Sequence, residues 1–417
     1  QVHSEDEVPS IAIIPFKNKG ADEDVFYAYG ISADLISDCS SAGLIRVASL
    51  NNIEKIENYE CLQAEDLASK LDVRYTTEGT LWKMGDMFQL SVELYDTKDK
   101  KVVWSDRWQE KWDNLPNIKI NLSDGLLKAL DTKPKFEKML DTTNPEAYEF
   151  YLKANHNYAK RKNTNDIEIT RGLLCKAIQL DDNLIMAKTL LGKTYTEMGD
   201  YDEAMEIFIP ALKQAEQLGD KHGIGFCLNN IGTVHGNKGD YEKTLDYFTR
   251  SLKIRKELGD KSGISLSMNN IGLVYYMKGD SEKALDYYES SLEIQEELGD
   301  KRGTSVSLNN IGLVYYKNKS DFEKALDYFE KSLKIQEEIS DKRGIGLSLV
   351  NFGLVYHKKG NLDTALDYFE ESLKIQKELG DKRGISISLS NIGFVYSNDK
   401  GDIEKALDYF EESLKIQ

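Results

Sequence analysis

A row of asparagines in the second half of the chain is the clearest candidate for a binding chemistry. Its members recur every 40 or 41 residues and are Asn230, Asn270, Asn310, Asn351 and Asn391. In three copies another asparagine comes directly before, at Asn229, Asn269 and Asn309. An amide side chain can donate and accept hydrogen bonds at the same time. A row of amides on one surface could therefore hold the backbone of an extended peptide without reading its side chains.

The residues predicted to flank the asparagine row are apolar, aromatic or basic. A leucine comes three residues after the asparagine at Leu273, Leu313 and Leu354. Further along lie Tyr276, Tyr316, His357, Lys317 and Lys358. An alternative is that the asparagines only form hydrogen bonds between neighbouring repeats. Duplication of one ancestral repeat would also copy them, whether or not they bind a ligand. Binding is favoured because exposed apolar side chains on both sides of the row need a cover.

Other side chains in the sequence lack the spacing that catalysis or metal binding requires. Gly192-Lys193-Thr194 ends a string that looks like a phosphate-binding loop, but the string lacks the first glycine and does not follow a strand. The histidines have no ligand spacing. Paired acids such as Glu296-Glu297 are typical of a solvated helix face, whereas general acid–base catalysis needs a carboxylate in an apolar setting. We predict that the chain is not an enzyme and holds no cofactor or metal.

Helical hairpins are the elements that must position these residues. The period of about 40 residues is the signature of a solenoid. When Gly312 is numbered as position 8 of its repeat, positions 4, 7, 8 and 11 fall on one helix face, at about 100° per residue. Positions 2, 5, 6, 9, 12 and 13 then point the other way. Glycine at position 8 costs about 1 kcal/mol of helix propensity relative to alanine. It therefore predicts close approach of the second helix, where Ala325 is the expected facing residue, and Gly279-Asp280 predicts the turn between two helices.

This pattern resembles the tetratricopeptide repeat. The matching positions are the small residue at 8, an aromatic residue at 11, alanine at 20 and an aromatic residue at 24, namely Phe208, Phe248, Tyr288 and Phe369. The Leu-Gly-Asp-Lys-Arg-Gly linkers resemble the long-linker subclass, as in kinesin light chain, although the usual tryptophan at position 4 and the proline at the repeat end are missing. The resemblance implies an all-α solenoid of seven hairpins over residues 145–417. It also implies that asparagines in the groove of the first helices contact a peptide backbone.

The segment 11–131 is predicted to be a compact α/β domain, so the fold class is an α+β module followed by the solenoid. The apolar run Ile11–Phe16 predicts a strand that Pro15 ends, and Leu44–Leu50 predicts a second strand. Alternation predicts a three-stranded meander over residues 76–108. Helical periodicity covers residues 25–42, 64–71 and 118–130.

This segment also resembles a known module. Ile11-Ala-Ile-Ile-Pro-Phe, Tyr29-Gly-Ile-Ser and Glu78-Gly-Thr resemble the TolB-amino-terminal-like module. In bacterial proteins that module lies between an output domain and tetratricopeptide repeats. The output domain is often a class III adenylate or guanylate cyclase, or a winged-helix DNA-binding domain.

Composition limits the partners and the location. The net charge of −17 makes nucleic acid a poor partner and favours partner segments that are basic or neutral. No apolar run approaches the ~20 residues that span a bilayer, and no signal peptide is evident. The four cysteines are far apart, as expected for reduced thiols. We expect a cytoplasmic protein, with residues 1–10 as a linker and residues 132–144 as a junction.

Several functions are consistent with the sequence. The first is a protein-interaction and signal-relay region whose groove binds an extended peptide or a partner protein. The alternative is the regulatory portion of a class III cyclase, or of a transcription regulator, whose output domain precedes residue 1. A further hypothesis is self-association through the last repeat, because Leu414 and Ile416 belong to a helix that no later repeat covers.

Overall fold

The computed structural model describes residues 9–41, 45–54, 56, 58–132, 142, 144–161 and 163–416. Most of the predicted linker and junction, residues 1–8, 133–141 and 143, lies outside this range. The chain divides into two compact units. The first unit comprises Gln1–Val274 with Glu297–Gly299, and the second comprises Tyr275–Glu296 with Asp300–Gln417. Among the described residues, none of the helices combines the length and the apolar character needed to cross a membrane.

A mixed sheet opens the first unit. Its strands are β1 (Ser10–Ile13), β2 (Lys17–Asn18), β3 (Arg46–Val47), β4 (Tyr75–Met84), β5 (Met87–Asp96) and β6 (Lys101–Lys111). The order is β3-β1-β4-β5-β6, with β2 also paired to β4. β1 runs parallel to β3 and β4, whereas β4, β5 and β6 form an antiparallel meander. The helices of this domain are α1 (Val25–Ser41), α2 (Leu50–Glu54), α3 (Ala64–Leu71) and α4 (Leu115–Ala129).

The predicted meander is confirmed. Of the predicted strand at Leu44–Leu50, Leu44 lies outside the described residues, and from residue 48 onward the prediction is wrong. Only Arg46–Val47 pairs with β1, and α2 begins at Leu50. The helix forms because Ile53, three residues after Leu50, is fully buried, which is helical rather than strand spacing. β2 was not predicted, because two residues are too few to show an alternating pattern.

Helices α1 and α4 and the first hairpin share a core with the sheet. Ile13, Leu35, Leu90 and Leu122 are all fully buried in that core. A buried polar link ties the hairpin to the domain: Tyr148 Oη donates to Asp34 Oδ2 at 2.5 Å. Lys119 Nζ lies 3.2 Å from the same oxygen.

From residue 145 onward, the described residues form helices and no strand, which confirms the predicted fold class. The helices are α5 (Pro145–Lys160), α6 (Thr164–Leu180), α7 (Ile185–Met198), α8 (Tyr201–Leu218), α9 (Lys221–Asn237), α10 (Tyr241–Leu258), α11 (Lys261–Lys278), α12 (Ser281–Glu297), α13 (Lys301–Val314), α14 (Phe322–Glu338), α15 (Lys342–Lys358), α16 (Leu362–Leu379), α17 (Lys382–Phe394) and α18 (Ile403–Ile416). Odd-numbered members are the first helices of successive hairpins and even-numbered members are the second.

The turns follow the predicted capping chemistry. Gly279 takes a φ of 79°, and Asp280 Oδ1 accepts a hydrogen bond from the backbone N–H of Lys283 at 3.2 Å. The step from Gly312 to Ala325 and the step from Gly393 to Ala406 are each one residue longer than the step from Gly353 to Ala365. The extra residue is absorbed in π-helical turns at Tyr315–Lys319 and Val395–Asp399. Ser320 ends the first of these turns at a φ of 52°. A π turn holds one more residue than an α turn, so the register of α14 against α13 is preserved.

Glycine at position 8 makes the close approach that the sequence predicted, but against an aromatic ring. A Cβ added at Gly312 would lie 2.5 Å from Cε1 of Phe329. The equivalent pairs are Gly192 with Phe208, Gly232 with Phe248, Gly353 with Phe369 and Gly393 with Phe410. The sequence pointed to Ala325 as the facing residue; Ala325 is fully buried, but the side chain nearest to a Cβ at Gly312 is that of Phe329.

Candidate peptide-binding face

The second unit carries an exposed surface on its first helices, called here the first-helix face. It consists of the residues at positions 2, 5, 6, 9, 12 and 13 on α13, α15 and α17. Val306 and Leu347 at position 2 are 46% and 44% exposed, and Phe394 at position 9 is 51% exposed. Leu313 and Leu354 at position 9 are half-buried. The face therefore presents apolar side chains to solvent in a row across the three helices.

Asparagines connect two of these helices. Asn351 Nδ2 on α15 donates to Asn309 Oδ1 on α13 at 3.1 Å. Asn309 Nδ2 in turn donates to Ser348 Oγ at 3.1 Å. Asn309 thus makes two hydrogen bonds from one repeat to the next, and Asn351 makes one. The bridging role that the sequence left open is present at these positions.

The last asparagine of the row behaves differently. Among the described residues, the side chain of Asn391 on α17 has no hydrogen-bond partner. The residue at position 5 of the preceding repeat is Val350, which is buried and offers no amide. The amide of Asn391 therefore keeps its hydrogen-bonding groups for solvent or a ligand.

The first unit repeats part of this arrangement. Asn270 Nδ2 on α11 donates to Asn229 Oδ1 on α9 at 3.0 Å. Asn230 is half-buried, as is Asn310 on α13 in the second unit. Leu273 is exposed, as expected of a binding face, but Asn269 is buried and does not lie on an open surface. The role of Asn269 in a groove stays a prediction.

Aromatic and basic residues lie at the ends of the first helices of the second unit. Lys317 Nζ lies 5.2 Å from the centroid of the Tyr276 ring. Burial raises the pKa of both Tyr276 and Tyr316, so both phenols are uncharged donors at neutral pH. His357 Nε2 is 2.7 Å from Asp399 Oδ2, while Lys358 is exposed. Tyr316, Lys317, His357 and Lys358 thus occupy positions 12 and 13 of the first-helix face, and Tyr276 lies at the end of α11.

Arginines at the other end of these helices escaped the sequence prediction. Arg302, Arg343 and Arg383 each lie four residues before position 2, which places them on the same side of their helices. Arg302 Nε lies 3.8 Å from Asp341 Oδ2, and Arg343 Nε lies 3.1 Å from Asp381 Oδ2. The signal that could have found them is this four-residue spacing, repeated in three consecutive repeats.

The string that looked like a phosphate-binding loop has other contacts. Lys193 on α7 lies 5.2 Å above the Tyr158 ring, and burial lowers its pKa. Thr194 Oγ1 donates to the Leu191 carbonyl at 2.6 Å. Both side chains are therefore engaged within the helical packing. Among the described residues, no group of three or more potential metal ligands is present.

Comparisons with known proteins agree with the helical part of the chain. The family model "Tetratricopeptide repeat" matches residues 184–257, 263–338 and 344–417, more than half of the chain. The model "HilA/YgeH-like transcriptional regulator, second domain" matches residues 6–124. No curated protein matches the sequence significantly.

Solved structures share the fold at low identity. The apo form of RapI is 18% identical and covers 65% of this chain and 97% of its own, with a TM-score of 0.53. A Rap protein complexed with competence and sporulation factor is 15% identical and covers 71% and 80%, with a TM-score of 0.51. A STAND-family signal transduction ATPase with a tetratricopeptide repeat sensor, from Pyrococcus horikoshii, is 18% identical and covers 73% and 47%, with a TM-score of 0.50. At these identities the likeness concerns the fold alone.

Proposed function

Because the chain belongs to the tetratricopeptide repeat family, we propose that it is a protein-interaction and signal-relay region whose first-helix face binds an extended peptide segment. The observation that carries the proposal is the exposed apolar row. Val306 and Leu347 remain in solvent beside amides, although each hairpin has a packed side that could have held such residues. A bound segment would cover this apolar surface.

The dimensions of the face suit an extended chain. Packed helices lie about 8–10 Å apart, and an extended peptide rises about 3.3 Å per residue. A peptide that crosses α13, α15 and α17 would therefore meet a new helix every three residues or so. The apolar residues at positions 2 and 9 would receive its side chains. Asn391, which has no partner among the described residues, would bond its backbone.

A relay function needs a mechanical connection between the repeats and the amino-terminal domain. Within the first unit, Asp34 joins Tyr148 of the first hairpin to Lys119 of α4 in a buried polar link. Removing one partner from a buried charged network leaves an uncompensated charge, which lowers the stability of the folded protein. The first hairpin and the domain are therefore proposed to move as one body when a ligand changes the packing of the repeats. The Rap protein with a similar fold was solved in complex with competence and sporulation factor, so that protein accommodates a second molecule.

The experiment that tests peptide binding is a display selection on the full chain. The immobilised protein is exposed to an unbiased library of 12-residue peptides, and the same selection is run on Val306→Ser/Leu347→Ser. A matched control carries Ile209→Ser/Leu218→Ser, two exposed apolar residues on the second helix α8. We expect enrichment on the wild type and on the control, with at least tenfold weaker binding of the enriched peptides to the face variant. Failure to enrich any peptide, or equal loss in both variants, contradicts the proposal.

A second candidate function is the regulatory portion of a transcription regulator. The observation in its favour is the match of residues 6–124 to the second domain of HilA/YgeH-like transcriptional regulators. The resemblance to the TolB-amino-terminal-like module favours a class III cyclase or a winged-helix domain as output, in a cytoplasmic protein. The sequence encoded immediately upstream of residue 1 separates these possibilities. A basic winged helix indicates transcription, and a catalytic aspartate pair indicates a cyclase.

A further inference from the structure

Charge is unevenly distributed between the first and second helices of the second unit. The segments Lys301–Lys319 and Lys342–Lys358 and the helix α17 contain no aspartate or glutamate. The second helix α14 carries five acidic residues, which are Glu323, Asp327, Glu330, Glu337 and Glu338. Helix α16 likewise carries Asp363, Asp367, Glu370, Glu371 and Glu378. Within the second unit, aspartate and glutamate are therefore concentrated on the second helices and not on the first-helix face.

Basic side chains border the first-helix face at both ends. Arg302 and Lys317 lie 15 residues apart on and just after α13, about 22 Å along the helix axis at 1.5 Å per residue. The apolar residues and amides of the face lie between them. Arg343 and Lys358 repeat the arrangement on α15, and Arg383 begins it again on α17. Helices α13 and α15 thus have cations on either side of an apolar centre.

Some of these cations have no carboxylate to neutralise them. Arg302 is paired with Asp341, which caps α15, and Arg343 is paired with Asp381, which caps α17. Among the described residues, Lys317, Lys358 and Arg383 form no ion pair, and all three are exposed. At the far end of α15, the carboxylate of Asp399 contacts His357. The face as a whole is therefore positive, in a chain whose net charge is −17.

We propose that the first-helix face of the second unit binds an acidic extended peptide segment in which apolar and acidic residues are interspersed. This inference rests on the proposed function and specifies the class of partner. Apolar side chains of the segment would cover Val306 and Leu347, and its carboxylates would reach Lys317, Lys358 and Arg383. The expectation of a basic or neutral partner, which came from the net charge, does not apply to this face. A long polyanion such as nucleic acid is disfavoured, because it would extend over the acidic second helices.

The first test repeats the display selection on the full chain and reads the composition of the enriched peptides. Enrichment of Asp and Glu among apolar residues supports the proposal. Enrichment without acidic residues overturns it while leaving peptide binding intact. No enrichment at all removes both this inference and the proposed function, so the two failures can be told apart.

The second test uses charge reversal with a matched control. The face variant is Lys317→Glu/Lys358→Glu/Arg383→Glu. The control is Lys334→Glu/Lys374→Glu/Lys415→Glu, which makes the same change of charge on second helices at equivalent positions. Binding is measured by fluorescence anisotropy, with circular dichroism to verify that both variants fold.

The probes are a labelled acidic peptide from the selection and its analogue with Asp and Glu replaced by Asn and Gln. We expect the face variant to bind the acidic peptide at least tenfold more weakly, the control to change less than twofold, and the neutral analogue to lose about tenfold on the wild type. Equal effects of the two variants overturn the proposal. The proposal is also overturned if a labelled 20-nucleotide single-stranded DNA binds the wild type as tightly as the acidic peptide does.

Discussion

Three asparagines of the second unit differ in the number of hydrogen bonds they make between repeats, which gives a graded test of the bridging role. Asn309 makes two such bonds and Asn351 makes one. Asn391 has none among the described residues. All three lie half-buried on first helices. Replacing each with alanine removes the same amide from closely similar surroundings, so the difference between variants reports the bonds.

The expected magnitudes follow from two opposing contributions. Each hydrogen bond contributes about 0.5–1.5 kcal/mol net to stability. Alanine in place of asparagine gains up to about 0.7 kcal/mol of helix propensity. Asn309→Ala should therefore lower the free energy of unfolding by about 0.3–3 kcal/mol. Asn351→Ala should change it by an amount between a loss of about 1.5 kcal/mol and a gain of about 0.2 kcal/mol. Asn391→Ala should raise it by up to about 0.7 kcal/mol.

The assay must resolve local stability, because a chain of several cooperative regions need not unfold in one step. Hydrogen exchange of the full chain, read by mass spectrometry on peptides from α13, α15 and α17, reports the opening of each helix separately. We expect faster exchange in α13 and α15 of Asn309→Ala, and unchanged or slower exchange in α17 of Asn391→Ala. If Asn391→Ala loosens its helix as much as Asn309→Ala does, the number of bonds does not decide stability and the reasoning is wrong.

Three further outcomes are expected. Gly312→Ala should destabilise the protein by about 1–3 kcal/mol, because the new methyl group meets the Phe329 ring. Gly172→Ala, where a Cβ meets nothing within 4 Å, should instead stabilise the protein by up to about 1 kcal/mol. Chemical denaturation of both variants measures the difference. Burial, with a smaller contribution from a nearby lysine, lowers the pKa of His156. Below about pH 6.5 the unfolded chain therefore binds more protons at this residue than the folded protein does. The free energy of unfolding should fall as the pH drops through that range. Replacing this histidine with glutamine should reduce the change of the urea unfolding midpoint between pH 5 and 7.5. Leu414 is 73% exposed, and Leu414→Glu should reduce any concentration-dependent association seen by light scattering; an unchanged association constant rules out this part of the last helix as the contact.

The helical repeats could be predicted from the sequence because their causes are local. A glycine, an aromatic residue and an aspartate cap recur at fixed spacing, and each acts within one hairpin. The facing residue of Gly312 was missed for a related reason. Alanine and phenylalanine both recur on the second helix, and spacing alone does not show which of them lies over the glycine. In the structure the Phe329 ring fills the space that a Cβ would need.

The partners of the asparagines could not be predicted, because they depend on contacts between repeats. Asn309 and Asn351 are 42 residues apart, and the pattern that places both on first helices allows either a bond between them or two open amides. The sign of the charge on the first-helix face was also not predicted, because the net charge is a sum over both helices of each hairpin. Sorting the charged residues by helix would have revealed it.

A single substitution between repeats changes what the same asparagine can do. Asn351 and Asn391 occupy the same position in successive repeats, but Asn351 faces Asn309 whereas Asn391 follows a repeat that has Val350 in the corresponding place. The amide at position 6 is therefore held by the scaffold in one repeat and left with its donors and acceptor in the next. Bridging and the proposed binding are then not competing explanations of the whole row, because Asn351 bonds to Asn309 whereas the amide of Asn391 remains available. Cations, apolar residues and the unbonded amide of Asn391 meet on the last three first helices, which is where a ligand would gain most from contact.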